Sequence, residues 1–191
     1  MMRLKCYHGT DLNNAEKILN KGFICKINEE HWLGNGIYFY FDHSLAHWWT
    51  SDPTNKFGVE IKHPAILECM INVDENEVID LRKLEHYKKF ADEYRRVFFP
   101  LYFKEFDGKI DESSKKLRCT FCDYIHDKFK CKAIVGTFNT RDQPYIPNYG
   151  FGFSEFNIQY FETQICIFEQ SAIKDTKLCK EKESKSFEVR L

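Results

Sequence analysis

Apolar and polar positions alternate with two different periods along this chain, and the switches between them mark its elements. Residues 3 to 8 read as a short strand. Asp11 then caps a predicted helix over 12–21, in which Leu12, Ala15, Ile18 and Leu19 share one face and which Gly22 ends. LGNG at 33–36 supplies two glycines for a tight turn, and GIYFYF at 36–41 is the aromatic and β-branched run of a strand. Asp42 caps a short helix, HSLAHWWT. AILECMINV at 65–73 and EVIDL at 77–81 are predicted strands separated by the acidic turn DEN, forming a sheet edge or a hairpin.

Leu84, Tyr87, Phe90, Ala91, Tyr94 and Phe98 fall at helical intervals and predict a long helix ending near Phe103, which Pro100 ends or kinks. A second helix follows Gly108, with Leu117, Phe121, Tyr124, Ile125 and Phe129 on one stripe. KAIVGTF at 132–138 reads as a buried strand and TQICIF at 163–168 as the last one. The segment between them, with Pro144, Pro147, Gly150 and Gly152, reads as a long loop of the kind that often carries function. The charged stretch from Lys174 lacks periodicity and is expected to be partly mobile. The order of elements predicts an α+β fold, with mixed or antiparallel sheets and flanking helices, as one domain over 1–175 and a charged tail over 176–191.

Composition narrows the function. A chain of 191 residues, 43% hydrophobic and 16% aromatic, suits one compact domain that stands on packing alone. Its net charge of −1 leaves no overall electrostatic footprint for nucleic acid. No signal-like run opens it and nowhere do eighteen apolar residues follow one another, so it is expected to be soluble, without a membrane partner, and cytoplasmic. The 8 cysteines sit singly in apolar or helical contexts and are expected to be reduced. Cys119, Cys122, His126 and Cys131 have a spacing close to a zinc knuckle. A knuckle needs tight turns, however, and no glycine lies between Cys119 and Cys131, so they read better as small core fillers of an amphipathic helix, with no metal.

The candidate chemistry lies in YHGT at 7–10, GNGIYF at 34–39 and A-x-W at 46–48. In this order, separated by one helix and a loop, they resemble the poly(ADP-ribose) polymerase-like and diphtheria-toxin-like ADP-ribosyltransferases, whose cleft carries an H-Y-E triad. The resemblance covers roughly residues 5 to 50 by motif and residues 132 to 173 by strand pattern. It implies the ADP-ribosyltransferase fold with split sheets, and NAD⁺ as co-substrate. His8 and Thr10 would then hold the adenosine ribose side and the Gly9 backbone the carboxamide, while Tyr38 and Trp48, or its neighbour Trp49, clamp the nicotinamide ring. A flat cationic ring gains from aromatic faces through stacking and cation–π attraction. The family's carboxamide serine precedes the helix alanine; this chain has Leu45 there and Ser44 one residue earlier, so Ser44 takes that role only if the helix slips.

The departure is at the third triad position, where Gln164 stands in place of the Glu that faces positive charge on the reacting ribose. Gln keeps a hydrogen bond and loses the charge. Residues i and i+2 of a strand share a face, so Glu162 is expected to line the same cleft and to carry the charge, with Glu155 a third possibility. The resemblance implies transfer of single ADP-ribose units to a macromolecular acceptor, protein rather than nucleic acid, as in a bacterial toxin or defence effector. The alternative is a weak or inactive module that binds NAD⁺ or ADP-ribose. A third reading makes Cys6 a nucleophile beside His8, although nothing in the sequence activates the thiol.

Overall fold

The structure, a computed structural model, describes residues 1–51, 61–105, 114–138 and 162–179. Chain order runs β1 (Met2–Asp11), α1 (Leu12–Lys21), β2 (Ile37–Tyr40), α2 (His43–Ser51), β3 (Pro64–Val73), β4 (Val78–Asp80), α3 (Leu84–Glu93), α4 (Phe99–Glu105), α5 (Ser114–Phe129), β5 (Ala133–Phe138), β6 (Glu162–Ile167) and β7 (Ile173–Leu178). The strands form one seven-stranded sheet in the order β4-β5-β6-β2-β1-β3-β7. Only β4 and β5 run parallel, so the fold is α+β with a mixed sheet and flanking helices.

The local signals explain most of these elements. Asp11 accepts the Asn13 N–H at 3.0 Å and starts α1; Gly22, at φ 84°, ends it by donating its N–H to Ile18. Asp42 accepts the Ser44 N–H at 2.7 Å at the start of α2. Pro100 does not stop its helix. Having no N–H, it would leave the Arg96 carbonyl without its usual donor, and the chain widens into a π-helical stretch over Tyr94–Phe98, with the Phe99 N–H reaching back to Tyr94, before α4 continues.

Three expectations are corrected. β4 is a sheet edge, as expected, but makes no hairpin with β3: the two edges of β3 are taken by β1 and β7, so the short 3₁₀ turn Glu75–Glu77 leads β4 to the far end of the sheet beside β5. The charged stretch from Lys174 opens within a regular strand, because Ile173–Leu178 pairs with β3, and its residues beyond 179 lie outside the described residues. Its charges are those of a solvated edge strand, which blunt further pairing. Finally, the sheets expected to be split are one sheet with a neck. β1 and β3 pair over ten residues, whereas β1 and β2 pair only at Tyr7↔Tyr40, and beyond that point the two strands part.

One face of the sheet buries Cys6, Phe39, Leu67, Cys69, Val135, Ile165 and Ile167 under Ala15 and Ile18 of α1 and Phe23. The other face carries two separate apolar clusters. Phe98, Tyr102, Phe121, Cys122 and Ile125 cover β5 and β6, while Leu45, Ala46 and Trp49 cover Tyr40 and Ile66. Tyr38 packs with the first cluster and Tyr40 with the second, so the seam between them follows β2.

Candidate functional site

The neck in the sheet is where His8 meets the Tyr38 backbone. Past Tyr7↔Tyr40 the strands separate, and the His8 imidazole fills the place of a backbone donor: its Nδ1 lies 2.8 Å from the Tyr38 carbonyl. A carbonyl only accepts, so Nδ1 carries the proton and Nε2 is left as the ring's acceptor. The ring rests edge-on against Phe23, centroids 5.2 Å apart, and tilted against Phe39 at 5.7 Å. Burial holds the imidazole pKa below its ordinary value, opposed by the bond to Tyr38, so His8 is neutral near pH 7.

That shift gives a stability prediction with a definite sign. The unfolded chain takes up the His8 proton first as the pH falls below about 6.5, while the folded chain resists it. Stability is therefore fully present above that pH and is lost as the pH falls toward the depressed folded value. The melting temperature is expected to drop between pH 7 and pH 5, and His8→Gln is expected to flatten part of the slope. His31, lowered the same way by its own burial, supplies another part.

Tyr38 adjoins His8 through its backbone, but its ring projects to the opposite face. The phenol oxygen donates to the Gly34 carbonyl at 2.8 Å and accepts the Leu33 N–H at 2.7 Å, and burial pushes its pKa far above the ordinary range. It locks the turn that launches β2, which leaves the ring alone to meet a ligand. The same turn is tied to α5: Asn35 gives its backbone N–H to Asp123 at 2.6 Å and its amide to the other carboxylate oxygen at 2.7 Å. Asp123→Ala is expected to free the 33–36 turn and cost about 2 to 3 kcal/mol, because it leaves those two donors unsatisfied; chemical denaturation measures it.

Gly9 lies where α2 crosses β1. A Cβ there would stand 2.6 Å from the Ala46 carbonyl oxygen, 2.8 Å from Thr50 Cγ2 and 3.2 Å from Trp49 Cδ1. Trp49 thus stands against Gly9, and Trp48, the first choice from sequence, is its partly exposed neighbour. Ser44 is exposed on the first turn of α2, while Leu45 and Ala46 turn inward, so the helix has not slipped to bring it in. Thr10, one residue before the end of β1, pairs with Ala65 and is half-buried.

On the same face as Tyr38 and Tyr40, β6 presents Gln164 beside Tyr40 and Glu162 beside Phe138. Gln164 donates its amide to Glu162, whose side chain is only 3% exposed. The expected pair on one face of β6 is present. Glu155 lies outside the described residues, as does the loop over 139–161.

The cysteines do other work. Cys6 is fully buried, and burial pushes its thiol up to about 12, which leaves it no thiolate near neutrality and no standing as a nucleophile. Cys119, Cys122 and Cys131 are core residues, and His126 bonds the Cys131 carbonyl at 2.7 Å while stacking on Phe168. Among the described residues no group of three or more His, Cys, Asp or Glu is arranged to hold a metal ion, and no helix is long and apolar enough to cross a membrane.

Sequence reasoning passed over Arg118 and His31. Arg118 sits in α5 between Leu117 and Cys119 with its guanidinium 4.8 Å over Trp32, and nothing in the local pattern distinguishes it from a solvated lysine such as Lys115.

No protein-family model matches the chain. An uncharacterized protein of Methanocaldococcus jannaschii is 34% identical over 97 residues, which cover 50% of this chain and 45% of that protein. The chain thus matches less than half the length of that relative.

Proposed function

We propose that the chain is an NAD⁺-dependent mono-ADP-ribosyltransferase whose cleft lies at the neck between β1 and β2. The observation that carries this reading is the His8–Tyr38 contact at 2.8 Å in the gap where the two strands part. His8, whose ring lies on the face opposite the Tyr38 ring, has its Nδ1–H held by a backbone carbonyl and offers Nε2 as an acceptor for a sugar hydroxyl that reaches it through the gap. Aromatic rings stand to both sides of the seam, Tyr38 in one cluster and Tyr40 with Trp49 in the other, as a flat nicotinamide ring requires.

NAD⁺ would supply a glycosidic C–N bond whose cleavage puts positive charge on the ribose and releases nicotinamide. In the expected triad a Glu faces that charge; in this chain Gln164 holds the position and is itself bonded to Glu162. The carboxylate stands two residues from its expected place, on the same face, with an amide bridging toward the cleft. This arrangement favours single transfers, and the nearly balanced net charge of −1 favours a protein acceptor over nucleic acid. A role as a toxin or defence effector acting in the cytoplasm belongs to the same proposal and rests on the family resemblance alone.

The test is nicotinamide release and labelling of protein from NAD⁺ by the purified chain. Release by wild type that His8→Ala lowers at least tenfold is the expected result. Wild type that binds NAD⁺ without releasing nicotinamide, while Gln164→Glu becomes active, would assign the chain to the binding modules. Failure to bind NAD⁺ at millimolar concentration would end both readings.

A further inference from the structure

Arginine cannot shed its proton in a protein, so an enclosed guanidinium needs acceptors or it weakens the fold. Arg118 has two enclosed nitrogens, Nε and Nη2, and among the described residues neither finds an acceptor. Asp123, on the same helix, has both carboxylate oxygens engaged by Asn35. Glu162 takes the amide of Gln164. Burial in apolar surroundings disfavours the charged form of Arg118.

The two orphaned nitrogens are the pair that forms one edge of the guanidinium. Arg82 shows how such an edge is filled in this fold: its Nε gives to one oxygen of Asp80 at 2.8 Å and its Nη2 to the other, also at 2.8 Å. Arg118 presents the same fork without a carboxylate. Its plane is set by Trp32, 4.8 Å away, and Trp32 is in turn braced edge-on by Phe138 with centroids 4.3 Å apart. Beside Trp32 in the chain, His31 holds another enclosed nitrogen without a partner, Nδ1, and its ring lies 5.3 Å from that of Tyr38. Enclosed nitrogens without partners thus occur on Arg118, which lies over Trp32, and on His31, which lies against Tyr38, and each calls for an explanation.

We propose that the Nε/Nη2 edge of Arg118, oriented by Trp32, is the binding site for an oxyanion, a phosphate or carboxylate carried by a ligand that lies near Tyr38. A forked guanidinium edge matches two oxygens of either group and gives two charge-assisted bonds at once. This inference does not depend on the transferase reading, since simple anions test it.

The melting temperature of the full chain is measured in sodium chloride and, at matched ionic strength, in phosphate, pyrophosphate or acetate. Wild type is expected to rise by about 4 °C with a bound anion at ten times its Kd. Arg118→Met is expected to melt higher than wild type in chloride, because an unpaired enclosed charge has gone, and to lose the anion response. A response to phosphate and pyrophosphate alone assigns a phosphoryl group, and one to acetate alone a carboxylate. The proposal is overturned if no oxyanion exceeds the chloride control, or if Arg118→Met responds as wild type does. Should Arg118→Met fail to fold, the Nε–H resonance of Arg118 in the wild-type chain decides: it moves on adding the anion, or the site is refuted. Anion binding without nicotinamide release would sink the transferase and leave this site standing.

Discussion

Glu162→Gln should lower nicotinamide release about 10²- to 10³-fold while leaving NAD⁺ affinity within a few fold. The reason lies in when the charge is needed. A carboxylate facing a ribose that turns positive as its bond breaks stabilises the transition state more than the ground state, so its loss appears in kcat and hardly in KM. Gln164→Ala should cost less, about tenfold, because it removes the bridging amide and keeps the carboxylate. Steady-state rates with circular dichroism on each variant check both. Equal losses for the two variants would mean that β6 needs the pair as a hydrogen-bonded unit and that Glu162 has no separate electrostatic role.

Gly9→Val should destabilise the protein by about 3 kcal/mol or more, measured by denaturant unfolding. A Cβ at this position meets the Ala46 carbonyl at 2.6 Å, and that atom belongs to the backbone of α2, which cannot turn aside as a side chain would. The helix must lift from β1, and with it Trp49 from its place against Gly9. Thr50→Ser removes the second close atom, Thr50 Cγ2, and should restore only a minor part of the loss. This also separates two demands on one residue. The resemblance asks for a glycine so that a ligand can approach the backbone, and the packing asks for it so that α2 can. A Gly9→Ala protein that still folds but no longer binds NAD⁺ would show both at work.

What the sequence by itself determined is what is decided within a turn or two of chain. The bounds of α1 follow from Asp11 and Gly22 and its face from Ala15 and Ile18; the strand Ile37–Tyr40 follows from its aromatic run; the shared face of Glu162 and Gln164 follows from the two-residue period of a strand. Each rests on hydrogen bonds and side-chain directions fixed by near neighbours. Even the proximity of His8 and Tyr38 was legible, because two motifs in a fixed order carried it.

Only the tertiary structure decided where strands found partners and where they did not. β4 went to the far end of the sheet because β3 had no free edge, and Ile173–Leu178 became a strand because one edge remained open to a charged segment. The parting of β1 and β2 after a single pair and the choice of Trp49 over Trp48 against Gly9 are tertiary outcomes, and the β1–β2 register sets the His8 and Tyr38 rings on opposite faces. Arg118 is the sharpest case. Its neighbours in the chain describe an ordinary helix, yet its Nε and Nη2 are enclosed without an acceptor, and the carboxylate of Asp123 on the same helix has both oxygens engaged by Asn35. Local pattern specifies which groups a residue carries; whether an acceptor is left for them is settled only when every competing donor has taken its place.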